Sequence, residues 1–373
     1  MFVKAAVGAH RARTRDDRGD EEAVVVREAY DVVVVGGGAA GLSAGVVLAR
    51  ARRSVLVVDA GEPRNAPAEG VHGLLGQEGV GPAELLARGR AEVRSYGGEV
   101  VDGRALAVQQ QEEGFLVVLE GSSVRCRRVV VATGLRDGLP DVPGVAEQWG
   151  RGVVHCPYCH GWEVRDRRVG VLATGPLSVH QALLFRQWTD DVVLLLHAGG
   201  VEPSDEEWEQ LAARGVEVVD GEVAALESED GRVRGARLAS GVTVPLDALA
   251  VATRMESRAG VLAGLGLEAE DLVVGGARVG AAVPAGAGGE TAVPGVYVAG
   301  NVTDLRAQVV VAAAAGLTVG ALVNADLVGE DTRRAVEARR AALAGGTPRP
   351  FGAAAERELA ERVLGDRRHG VRA

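Results

Sequence analysis

The chain has 373 residues, 47% of them hydrophobic, which is enough for two domains with cores of their own. Its 53 glycines are about twice ordinary usage and favour an α/β protein with many tight turns. A net charge of −10 leaves no basic surplus for phosphates, so nucleic acid is excluded as a partner, and three cysteines exclude a secreted disulfide scaffold.

Residues 1–28 mix Arg with Asp and Glu without apolar period and are expected to be a disordered lead. They contain no signal-peptide core, and no apolar run in the chain reaches the ~20 residues of a membrane span. A cytoplasmic protein without a membrane partner is expected. Order begins at Tyr30-Asp31-Val32-Val33-Val34-Val35, a β-branched run suited to a buried parallel strand. Gly36-Gly37-Gly38-Ala39-Ala40-Gly41 follows, then a helical stretch from Leu42 to Arg52 and a second strand, 54–58, ending at Asp59. Strand, G-x-G-x-x-G, helix, strand and acid together form the dinucleotide-binding fingerprint. Gly36 permits the turn, Gly38 admits a pyrophosphate to the backbone, and Gly41 lets helix and strand touch. The helix N-terminus supplies donors, and Asp59 would accept from a ribose hydroxyl.

Two later strands echo one another: Val129-Val130-Val131-Ala132-Thr133-Gly134 and Leu249-Ala250-Val251-Ala252-Thr253-Arg254. The second belongs to a unit that opens at Arg168-Val169-Gly170-Val171-Leu172, continues through a helix over 178–188 and reaches a strand at 192–196. This is an internal duplication of a dinucleotide-binding fold. The predicted class is α/β, with two Rossmann-like domains and the second inserted into the first. The first would cover 29–151 and 256–327, the second 152–255, and a charged extension 328–373. Near the end of the first domain, Gly295 to Asp304 reads as a strand with a polar exit, followed by an Ala-rich helix over 308–324.

His155-Cys156-Pro157-Tyr158-Cys159-His160 carries the chemistry. C-x-x-C-H is a haem-attachment spelling, but covalent haem attachment is not expected in the cytoplasm, and Met255 is the only internal methionine to offer as an axial ligand. Zinc would need four ligands within six neighbouring residues, with no second C-x-x-C to help, so no metal is expected. A redox-active dithiol remains, with His160 as its candidate acid/base and His155 as an assistant or an orienting group. Cys126, at the mouth of a buried strand, reads as a packing thiol. His72, His180 and His197 have no partner visible in the sequence.

GGGAAG, VVVATG, the C-x-x-C of the second unit and VAGNVTD before an Ala-rich helix together resemble the low-molecular-weight thioredoxin reductase flavoproteins, over roughly residues 30–325. The resemblance implies FAD bound through Gly36, Gly38, Ala39, Gly41, Asp59, Thr133, Gly134, Gly300, Asn301 and Gln308. Asn301 stands where that family usually has Asp. The resemblance also implies that Cys159 is the sulfur nearer the flavin and Cys156 the one that meets the substrate. A homodimer is expected from the same resemblance.

Asp59 to Asn65, His72-Gly73 and Cys-x-x-Cys-His-Gly are similar to the dithiol oxidases of this family, which close disulfides in natural products such as gliotoxin and holomycin. His160 takes the place of the Asp usual in the reductases. In the second unit, Ala173-Thr174-Gly175-Pro176-Leu177-Ser178 lacks the first glycine of a nucleotide turn, and no arginine follows the next strand at 197–201, so NADPH binding is doubtful. The expected partners are a small dithiol, with Pro157, Tyr158 and Trp162 as an apolar flank or as core packing, and O2. The alternatives are a thioredoxin-like protein reduced with NADPH or another electron donor, and a flavin-containing redox sensor.

Overall fold

In the computed structural model, Ala29–Val35 (β1) lies inside a seven-stranded sheet, as its continuous apolar character demands of a strand covered on both faces. The structure describes residues 11–13, 23–25, 27–197, 201–344, 352–364, 367–368 and 371–372. β1 pairs in parallel with Val55–Asp59 (β2) on one side and with Ser122–Val131 (β3) on the other. The sheet widens to Glu99–Asp102 beyond β2 and to the hairpin of Ala105–Gln110 and Phe115–Leu119 beyond β3, and Val296–Val298 joins β3 in parallel. Helix α1 (Ala39–Arg50) crosses from β1 to β2, starting slightly earlier than the sequence suggests, and α2 (Pro82–Ser95) follows β2.

Two glycines set the entry to α1. Gly36 has φ +109°, and a Cβ there would lie 2.3 Å from the carbonyl oxygen of Ala132. At Gly41 a Cβ would lie 1.8 Å from the carbonyl oxygen of Gly36. Gly41→Ala must therefore push α1 away from β1. An overpacking cost of about 1–3 kcal/mol is expected, read as a lower Tm in thermal unfolding, and an unchanged Tm would contradict the packing described.

The second sheet contains Val169–Leu172 (β4), Val192–Leu196 (β5) and Ala248–Val251 (β6). Its order is Val153–Val154, β6, β4, β5, Glu217–Asp220, all parallel. The echo in the sequence is an equivalence of position. β3 lies beside β1 with Val129 opposite Val33, and β6 lies beside β4 with Leu249 opposite Gly170. The chain enters the second unit along Leu135–Gly138 and returns antiparallel to it along Arg254–Ser257.

The insertion begins before residue 152, contrary to the expected boundary. Val142 and Val145 are buried in the second unit's core with Leu172, Leu195 and Leu249. Between Gly138 and Val153 only one short helix interrupts the loop, so no period in the sequence marks the change of core. The predicted helix 178–188 closes earlier, as Ser178–Phe185.

Arg11–Arg13 and Ala23–Val25 pair antiparallel within the lead expected to be disordered; the rest of that lead up to residue 26 lies outside the described residues. The last helix of the first domain, Val309–Ala344, runs well past the expected end at residue 324. Ala-rich sequence passes directly into Glu- and Arg-rich sequence there; neither contains a proline, and the glycines (Gly316, Gly320, Gly329) are carried by strong helix formers around them. Over Val309–Ala342 this helix is long and apolar enough to cross a membrane by length and composition, although no apolar run of that length was expected; 28% of its most apolar window is buried. Residues 324–373 form a compact unit of their own that includes a helix at Ala353–Leu364.

Candidate active site

Val153–Val154 delivers the chain to Cys156, which stands at the N-cap of a single helical turn, α3 (Pro157–His160). Pro157 suits the first position because it has no N–H to lose. The N–H groups of Cys159 and His160 both donate to the Cys156 carbonyl at 3.1 Å, which curls the two thiols together. Both are free cysteines and half-buried. The Cys159 thiol donates to Cys156 and, despite partial burial, the amides of Cys159 and Tyr158 and the Gln308 side chain also favour its anion, bringing Cys156 down to about 6. Cys159 is pushed up by the same hydrogen bond, by burial and by the charge on Cys156. One member of the pair is therefore a thiolate at neutral pH and the other a thiol.

The histidines on either side differ in role. His155 is held to the Val251 carbonyl through Nδ1 at 3.0 Å, and burial lowers its pKa despite that bond. That bond ties the residue preceding Cys156 to the neighbouring strand. Burial also lowers the pKa of His160, against the pull of Glu163, while His72 and His155 reinforce the lowering. The Nδ1 of His160 is buried with no hydrogen-bond partner. A nitrogen left without a partner in a residue that lines the same cavity as both thiols is a candidate proton acceptor for an incoming thiol.

A cavity of about 1280 Å³ reaches from the glycine turn to the cysteine pair. That exceeds the roughly 300–1,000 Å³ of an ordinary small-molecule site and leaves room for a dinucleotide and a second ligand. Gly36, Gly38, Ala39, Asp59, Thr133, Gly134, Gly300, Asn301 and Gln308 line it, as do Cys156, Cys159 and His160. The space in front of Gly38 is open, as a pyrophosphate cradle requires. These residues fit FAD.

Some of the expected roles change. Gly41 does not reach the cavity; its work is the α1–β1 contact. Asp59 is paired with Arg90 of α2 and accepts from the Gly61 N–H at 3.2 Å, so its carboxylate is already oriented before any ribose arrives. Asn301 spends its amide nitrogen on the carbonyls of Asp304 and Ala307, both at 2.9 Å, and only its oxygen is left for a ligand hydroxyl. Thr133 donates to the Arg258 carbonyl at 2.8 Å and ties the returning chain to the glycine exit. Gln308 reaches Cys156. Of the aromatic flank, Tyr158 lines the cavity and stacks edge-on against Trp188 at 5.5 Å, whereas Trp162 stays outside it beneath Arg165. Cys126 is buried in the first core, where desolvation pushes its thiol up to about 12. His180 lines the cavity, and His197 accepts from the Val223 N–H at 3.1 Å.

The corresponding loop of the second unit is already occupied from within. The Ser178 hydroxyl oxygen accepts from the N–H groups of Thr174 and Gly175, at 3.2 and 3.3 Å. Pro176 has no N–H, so neither it nor the Thr174 and Gly175 amides offers a free donor to a phosphate. Of the segment after β5, residues 198–200 lie outside the described residues.

Sequence reasoning missed one cluster. Arg64 makes a two-pronged ion pair with Asp137, at 2.6 and 2.7 Å, and Thr253 donates to the same carboxylate at 2.7 Å. Burial opposes ionisation of Asp137, but Arg64 and the Thr253 hydroxyl outweigh it and hold the pKa below the usual range. Both domain crossings are thus fastened to the loop after β2, and the guanidinium also favours an anion at Cys159. Arg64 stood in a quoted motif, but only its distant partners show what it does.

Two dinucleotide-type domains sharing a cavity with a C-x-x-C pair define a disulfide oxidoreductase. Residues 30–316 match the family model described as pyridine nucleotide-disulphide oxidoreductase, and the chain belongs to that family. The thioredoxin reductase-like resemblance is borne out by its relatives. Thioredoxin reductase tcpT of Claviceps purpurea (strain 20.1) is 36% identical over 159 residues, 41% of this chain and 50% of that one. Thioredoxin reductase sirT of Leptosphaeria maculans is 32% identical over 211 residues, 55% and 60% of the two chains. The chain thus spans about half the length of the curated relatives it matches. Among solved structures, the crystal structure of HlmI is 45% identical with a TM-score of 0.79, covering 85% of this chain and 98% of that one. The oxidoreductase from Agrobacterium tumefaciens is 31% identical with a TM-score of 0.74, covering 80% and 98%. Thioredoxin reductase-like members of the family generally bind FAD.

Proposed function

We propose that this protein binds FAD and oxidises a small dithiol to its disulfide, with O2 as the final acceptor. The observation that carries this reading is the nucleotide loop of the second unit, closed by Ser178 while the cysteine pair opens onto the cavity. With the Thr174 and Gly175 amides turned to Ser178 rather than to a phosphate, this reading has the electrons enter through the cysteines. One thiol of the substrate attacks the oxidised Cys156–Cys159 bond at Cys156, forming a mixed disulfide and releasing Cys159. The second thiol then attacks the substrate sulfur, closing the product ring and releasing Cys156 as the better leaving group. His160 accepts protons from the incoming thiols. When bound through Gly36, Gly38 and Asp59, FAD would supply a two-electron acceptor for the reduced pair that O2 can reoxidise to give hydrogen peroxide.

The same reading places the protein in the cytoplasm as a homodimer. The relatives' names favour a second reading, a thioredoxin reductase drawing on NADPH. One experiment separates the two. The yellow protein is mixed anaerobically with NADPH, and separately with a small dithiol in air. Oxygen uptake with dithiol and no bleaching by NADPH is expected. Rapid bleaching by NADPH would overturn the oxidase reading, and silence in both tubes would point to a redox sensor.

A further inference from the structure

His72 stands at the edge of the cavity and takes no part in the steps above. The loop 71–80 that carries it is closed by a Val71–Val80 bridge, with the Val71 N–H donating to Val80 and the Gly79 N–H to Val71, both at 2.9 Å. Inside the loop, Glu78 faces His72 Nδ1 with Oε1 at 2.6 Å and accepts from the Gly73 N–H with Oε2 at 2.9 Å. An ionised carboxylate only accepts, so Nδ1 carries the hydrogen and Nε2 is the nitrogen left to take or lose a proton. Nε2 lies 3.5 Å from Oε1 of Glu163, three residues beyond His160. Nε2 and the Glu163 carboxylate thus face one another across the cavity edge. His160 interacts electrostatically with both Glu163 and His72. At one end of this group the Nδ1 of His160 is buried, and at the other the Glu78 carboxylate is 65% exposed.

We propose that His72, fixed by Glu78, is a second proton carrier of this site, taking through Glu163 the proton that His160 removes from the substrate and releasing it to water. The proposal rests on the dithiol reading above. Its balance requires such an exit. Two S–H bonds break on the substrate, one S–S bond forms there, and the Cys156–Cys159 bond breaks. The reduced pair retains one proton on Cys159 and an anion on Cys156, so one proton must leave the sulfurs in each exchange. His72 acts through Glu163 and His160 and is a positioning residue for that transfer.

The test uses the flavin-loaded protein with its cysteine pair oxidised, mixed anaerobically with dithiothreitol and quenched in acid. Reduced cysteines are counted by alkylation and mass spectrometry. His72→Ala is expected to slow reduction of the pair by about tenfold or more, since positioned acid–base groups contribute ~10²–10⁴-fold and this one acts at one remove. Added imidazole should restore most of the rate. His72→Asn keeps a donor for Glu78 but has no second ring nitrogen, so it should be as slow with the loop intact. Alkylation of the already reduced pair should be unchanged in both variants. Wild-type rates in the variants, a loss that imidazole leaves untouched, or altered alkylation of the reduced pair would overturn the relay alone. A wild-type protein that dithiothreitol cannot reduce would overturn the dithiol reading, and the relay with it.

Discussion

Cys156→Ser is expected to lower dithiol-driven oxygen uptake by at least about a thousandfold, because Cys159, the other thiol lining the cavity, has then no partner with which to form the redox disulfide. Cys126 cannot substitute, since it is buried in the first core with its thiol pushed up to about 12. The sign of the pH dependence follows from the pair. Cys156 is depressed to about 6, so its alkylation in the reduced protein should be nearly maximal at neutral pH and fall as pH drops through that value. The Cys159 thiol is the largest cause of that depression. Cys159→Ala should therefore move the alkylation midpoint upward, toward the free-thiol value of about 8.5. A midpoint unmoved by Cys159→Ala would show that the amides and Gln308 set the acidity without the partner thiol.

Arg64→Ala should produce the largest loss of stability. It leaves Asp137, whose side chain is 5% exposed, with Thr253 as its remaining side-chain partner. Removing one member of a buried ion pair costs about 3 kcal/mol or more. On a domain of this size that corresponds to a fall in Tm of about 6–12 °C. The pH dependence should change with it. A carboxylate whose folded pKa is depressed adds stability that is complete above the unfolded value of about 3.9 and is lost as pH falls through the folded value. Without Arg64 the depression shrinks, so acid unfolding should begin at a higher pH than in the wild type. Equal Tm values and equal acid midpoints would mean that the clamp contributes nothing net.

The glycine fingerprint, the duplicated strand and the C-x-x-C pair were legible because each is a contiguous run whose chemistry depends on its neighbours. Val32 to Val35 could only be a buried strand, and Gly36 could only be a turn. Ser178 was visible as a departure from a glycine turn. That its hydroxyl takes the loop's own amides depended on how the first turn of its helix closed. The start of the inserted domain was misplaced because Val142 lies in a loop and Val145 in a single short helical turn, and only their burial assigns them to a core.

Contiguous residues thus determined the family, the cofactor-type domains and the reactive sulfurs, since backbone conformation and short-range thiol chemistry are set within a few positions of the chain. Tertiary structure alone decided which groups surround those sulfurs. Arg64 meets Asp137 across 73 residues and Thr253 meets it across 116, while His72 reaches Glu163 from a separate loop. Charge and desolvation act through space over a few ångströms, and distance along the chain does not measure that.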